Sequence, residues 1–71
     1  MDALGRACPI PVIELARVVE TAAVGDVVEV LSDDPASKVD VPVWCRMRGQ
    51  RFLSQADLEA GGWAFRVTKV R

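Results

Sequence analysis

The residues best suited to chemistry in this sequence are Cys8 and its neighbours, Gly5-Arg6-Ala7-Cys8-Pro9-Ile10-Pro11. Pro9 and Pro11 lack an amide proton and have φ already near the helical value, so both suit the first turn of a helix. A residue that precedes proline is pushed out of the α region. Cys8 is therefore expected just before the helix, or at its N-cap, close to unpaired N–H groups and the positive end of the helix dipole. That setting contributes about 0.3–1 kcal/mol to a nearby anion at an exposed site and favours thiolate over thiol. Arg6 adds a positive charge beside it. A lone cysteine is often an inert apolar residue, but the Cys-Pro-x-Pro context favours a nucleophile.

The chemistry open to that thiolate is narrowed by what the chain lacks. It contains no histidine, which excludes a Cys-His dyad and a Ser-His-Asp triad. Two cysteines, Cys8 and Cys45, fall short of a four-ligand structural zinc site. Neither a glycine-rich phosphate loop nor a Cys-x-x-Cys pair is present. No metal and no cofactor is expected. A thiolate with no general base suits covalent group carriage, in which a group is accepted from one partner and handed to another. Cys45, among Val43, Trp44 and Met47, reads as a buried core thiol; the alternative is a resolving partner for Cys8. Asp33-Asp34-Pro35 reads as a helix start, with Asp34 at the N-cap and Pro35 at N1. Trp63 reads as core because it alternates in step with Phe65, whereas Trp44 is open between core and partner contact. Arg46 and Arg48 suit the C-terminal end of a helix.

These residues need a scaffold, and 71 residues with 51% hydrophobic content allow one domain, 1–71, with a small core. Met1–Leu4 is a short strand candidate. Pro9–Ala23 is a helix with an apolar stripe of Val12, Leu15, Ala16, Val19, Ala22 and Ala23. Gly25 turns the chain. Val27–Leu31 is a β-branched strand. Pro42 is expected to break the next helix into a turn over 36–40 and a better helix over 42–48, stopped by Gly49. Arg51–Ala56 is a third strand, with Phe52, Ser54 and Ala56 on one side. Trp63–Val70 is a fourth, alternating strongly. The order βαβαββ predicts an α/β (α+β) two-layer sandwich, a four-stranded mixed sheet with two helices on one face.

Charge divides the chain. Residues 1–35 hold two basic and seven acidic side chains, net −5; residues 36–71 hold seven basic and three acidic, net +4. The basic half admits a second reading, a small regulatory domain that binds protein or RNA. With 6% aromatic residues and no interleaving of aromatic and basic residues, no direct nucleic-acid contact is expected. There is no signal peptide and no apolar run near the ~18 residues of a membrane span, so a cytoplasmic setting with free cysteines is expected and no membrane contact.

Taken together, Asp2-Ala3-Leu4-Gly5, Arg6-Ala7-Cys8-Pro9-Ile10-Pro11, Gly25-Asp26, Ser32-Asp33-Asp34-Pro35-Ala36, Asp40-Val41-Pro42 and Cys45 resemble the TusA/SirA-like sulfur carriers over nearly the whole chain. The resemblance implies a βαβαββ sandwich and a persulfide carried on Cys8, with Gly5, Arg6, Pro9, Pro11, Asp33 and Asp34 as supporting motif residues. It implies a cysteine desulfurase or other sulfur donor and a downstream sulfur-acceptor protein as partners. The pathways it admits are tRNA 2-thiouridine synthesis, molybdenum-cofactor enzymes, sulfur oxidation and thiosulfate use. The protein is expected to act as a monomer.

Overall fold

The computed structural model describes residue 2, residues 4–5 and residues 10–71, with no side-chain description at 10 and 11. The expectations for Met1, Ala3, Arg6, Ala7, Cys8 and Pro9 lie outside the described residues. The elements run α1 (Ile10–Thr21), β1 (Val27–Ser32), α2 (Ser37–Arg48), β2 (Arg51–Asp57) and β3 (Trp63–Thr68). The strands form an antiparallel sheet in the order β1-β3-β2. The most strongly alternating sequence segment thus becomes the central strand. Of the expected first strand, Asp2 makes a single parallel bridge to Leu31.

One face of the sheet carries the core. Val30 sits opposite Phe65 and Val28 opposite Val67, and directly paired residues share a face. Leu15 and Val19 from α1 and Val41 and Cys45 from α2 close over these four to form one cluster, with Val12, Val18, Trp44, Phe52 and Trp63 packed around it. Both helices therefore cover the same face, giving an α+β arrangement of two layers.

Three local expectations are corrected. First, α2 is continuous through Pro42. Proline in a helix costs about 3 kcal/mol through a lost hydrogen bond and a clash with the carbonyl four residues back. Here Val41 and Cys45, buried on either side of it, pin the helix to the sheet, and burial of such side chains contributes about 1.5–3 kcal/mol each. The helix is entered through a tight turn in which the amides of Ser37, Lys38 and Val39 donate to the carbonyls of Asp34, Pro35 and Ala36. Second, β2 bulges at Leu53: Phe52 pairs with Val67, but Ser54 pairs with Arg66. The extra residue reverses the alternation, so Gln55 and Asp57, not Ser54 and Ala56, follow Phe52 on the core face. Third, α1 ends at Thr21 rather than Ala23. Asp26 Oδ2 accepts from the Ala23 amide at 3.0 Å. The Lys69 ammonium donates to the carbonyls of Glu20 at 3.2 Å and Ala22 at 2.7 Å. A cation from beyond β3 thus satisfies carbonyls that another helical turn would have used. Gly49, at φ 71°, caps α2 in the left-handed conformation.

Candidate functional site

The motif around Cys8 leaves the described residues after Gly5 and re-enters them at Ile10, where α1 begins. Its flanks are fixed by the segment that leaves β1. Both Asp33 carboxylate oxygens accept the Gly5 amide, at 3.0 and 3.1 Å. Gly5 lies at φ 78°, a left-handed conformation that glycine adopts without the steric cost other residues bear. Asp2 Oδ1 accepts from the Leu4 amide at 2.9 Å, and the Asp2–Leu31 bridge holds the start of the turn to β1. Asp33, 28 residues away in sequence, thus anchors the chain three residues before Cys8.

Asp33 is itself held from behind. A Cβ placed on Gly62 would lie 2.9 Å from the Ser32 carbonyl oxygen and 3.2 Å from Asp33 Cα and Cβ. The turn between β2 and β3 therefore packs directly on the Asp33 backbone, with room for hydrogen only. Beneath it, the Ser32 and Ser37 hydroxyls, both fully buried, lie 2.7 Å apart. The Asp34 amide donates to Ser32 Oγ at 3.3 Å, and Asp34 Oδ1 accepts from the Ala36 amide at 2.9 Å. Asp34 thus closes the turn that leads into α2, but the helix itself begins at Ser37 with Ala36 at its N-cap and no side-chain cap, so the expected start with Asp34 at the N-cap and Pro35 at N1 is corrected by two residues. Lys38 in the first turn of α2 lies over the Trp63 ring, 5.0 Å from its centroid, a cation–π contact.

Of the motif residues, the structure brings Gly5 and Asp33 together and places Asp34 next to them in the chain. Pro11 is the second residue of α1. Arg6, Cys8 and Pro9 lie outside the described residues. Sequence reasoning missed Gly62, Ser32 and Ser37. A Gly-Gly pair such as Gly61-Gly62 marks a turn in sequence, but not that its second glycine meets the backbone of β1.

Cys45 is 2% exposed and its thiol is free. Burial pushes its pKa from 9.0 to about 11, because the interior solvates thiolate poorly. In the unfolded chain the thiol ionises first. The stability that this burial confers is therefore complete below pH 9 and is lost as pH rises from 9 through 11. Urea unfolding at both ends of that window should show a steeper alkaline loss in the native sequence than in Cys45→Val. Equal slopes would mean that Cys45 ionises as easily folded as unfolded.

A model of the family described as sulfurtransferase TusA matches residues 1–69. The chain belongs to the TusA family. It is 37% identical over 71 residues to a putative sulfur carrier protein of Archaeoglobus fulgidus, covering 100% of this chain and 92% of that one. To the sulfur carrier protein TusA of Pseudomonas entomophila it is 36% identical over 69 residues, covering 97% and 85%. The crystal structure of a SirA-like protein from Desulfitobacterium hafniense superposes with a TM-score of 0.86 at 28% identity, covering 100% of this chain and 96% of that one. The TusA match takes in the Cys8 motif, both helices and all three described strands.

Proposed function

We propose that this chain is a sulfur carrier that holds a sulfane sulfur as a persulfide on Cys8. The observation that carries the reading is the TusA match from residue 1 to residue 69, which includes Cys-Pro-x-Pro. The grip of Asp33 on Gly5 supports it, because a fixed approach to the motif lowers the ordering cost when a partner's active site docks. In the loading step the Cys8 thiolate attacks the outer sulfur of a donor persulfide. The donor S–S bond breaks, the donor thiolate leaves, and a persulfide forms on Cys8. Delivery repeats the exchange: an acceptor thiolate takes the outer sulfur and Cys8 leaves as thiolate. No electrons are gained or lost overall, and no cofactor or metal enters.

The donor is a cysteine desulfurase or a similar enzyme, and the acceptor is a downstream sulfur protein, in tRNA thiolation or another sulfur-trafficking pathway. The protein works in the cytoplasm as a monomer and a single domain, 1–71. The proposed sheet is four-stranded and mixed, a reading supported by the parallel bridge between Asp2 and Leu31. The competing reading, docking through the basic half, loses ground because three of the seven basic side chains there are engaged. Lys38 lies on Trp63, Arg66 pairs with Glu29 at 3.0 Å, and Lys69 caps α1.

The test is the intact mass after incubation with a desulfurase and cysteine, before and after a reductant. The native sequence and Cys45→Ser should each gain a reductant-sensitive sulfur; Cys8→Ser should gain none. An adduct that persists in Cys8→Ser, or that disappears only in Cys45→Ser, overturns the assignment of Cys8.

A further inference from the structure

A groove of about 550 Å³ lies between the end of α2 and the face of α1 around Val19. It falls within the ~300–1,000 Å³ typical of small-ligand sites. Three basic side chains line it, Arg48, Lys69 and Arg71, against one acidic side chain, Glu20. The half-buried indole of Trp44 forms part of its wall.

Two of these cations are held in place by separate means. Lys69 is fixed by its bonds to the carbonyls that end α1. Gln50 clamps the backbone at residues 70–71: its Oε1 accepts from the amides of Val70 at 2.7 Å and Arg71 at 3.4 Å, and its Nε2 donates to the Arg71 carbonyl at 3.0 Å. The Arg71 guanidinium lies on the backbone of Gly49, where a Cβ would meet its Nε at 2.7 Å. Arg48 projects from the last turn of α2. Among the described residues, neither Arg48 nor Arg71 has a carboxylate within ion-pair distance.

We infer that this groove binds a small aromatic phosphate of the nucleoside monophosphate type, its phosphate taken by Arg48 and Arg71 and its ring set against Trp44. Guanidinium groups match phosphate oxygens in forked pairs, and an indole face stacks on a planar base. The groove holds a single indole, whereas sites for single-stranded nucleic acid stack successive bases on several aromatics. That favours one nucleotide over a strand.

The experiment is a titration of the isotope-labelled protein with adenosine monophosphate, followed by the two indole N–H resonances and the amides of Gln50 and Arg71. The expected result is saturable binding that moves the Trp44 indole and leaves Trp63 unmoved. Adenosine alone and inorganic phosphate alone should bind about tenfold more weakly or worse, and Arg48→Gln combined with Arg71→Gln should weaken adenosine monophosphate by about tenfold or more. Arg46→Gln, exposed on α2 outside the groove, should change nothing. The inference is overturned by absence of saturation, by shifts centred on Trp63, by equal binding of inorganic phosphate, or by an RNA oligomer that binds more tightly as it lengthens. None of these readings involves sulfur, so the outcome is independent of the role of Cys8.

Discussion

Phe65→Ala should cost about 3–5 kcal/mol, the range for removing a buried phenyl ring. Phe65 is fully buried in the central strand, opposite Val30 on β1 and Gln55 on β2. Its ring lies 6.5 Å from that of Phe52 in a tilted arrangement, which adds to the loss. A domain of this length has about 4–11 kcal/mol of stability in all, at about 0.05–0.15 kcal/mol per residue. The variant should therefore keep at most a marginal fold and unfold at much lower urea. Phe52→Ala, at the half-buried edge of the same ring pair, should cost clearly less. If the two losses are equal, the core is not centred on Phe65.

Gly62→Ala should be the most damaging small substitution near the site. At φ 91° any side chain is strained by roughly 1–3 kcal/mol. The added methyl would also sit 2.9 Å from the Ser32 carbonyl oxygen and 3.2 Å from Asp33, against backbone that cannot rotate away. Gly61→Ala is the matched control: its φ is 99°, but nothing lies within 4 Å of the added carbon. Both variants should lose stability through the backbone, and Gly62→Ala should lose more. Only Gly62→Ala should also push Asp33 off its seat, release the Gly5 amide, and so speed hydrogen exchange at Gly5 and slow sulfur loading. Faster exchange at Gly5 in both variants, or in neither, would break the proposed link from Gly62 through Asp33 to the motif.

The parts of this molecule legible in its sequence are those set by short periods. Trp63, Phe65 and Val67 alternate and become the central strand; Leu15 and Val19 recur at helical spacing and become the buried line of α1. Asp34 ahead of Pro35 marks a side-chain-closed turn because that bond involves only the next few residues, although α2 itself starts two residues later than the pair implies. The parts that were not legible depend on distant atoms. Local chemistry argues for a break at Pro42, yet Val41 and Cys45 bury against the sheet and hold the helix through it. The bulge at Leu53 is decided by which residues of β3 lie opposite, not by β2 itself. Lys69 reads as an exposed cation until α1 is seen to end beside it. In the candidate site, the family motif pointed to Gly5 and Asp33, but nothing in their spacing said that one holds the amide of the other.

The sheet order β1-β3-β2 makes the last strand the one on which the others depend. Among the described strands, β1 and β2 do not pair with each other; each pairs with β3. Loss of the segment from Trp63 onward would remove both pairings at once and leave the facing edges of β1 and β2 open. It would also take Lys69 away from the carbonyls that end α1. Gly62 would no longer be held against Asp33, and the grip of Asp33 on Gly5 would lose its support.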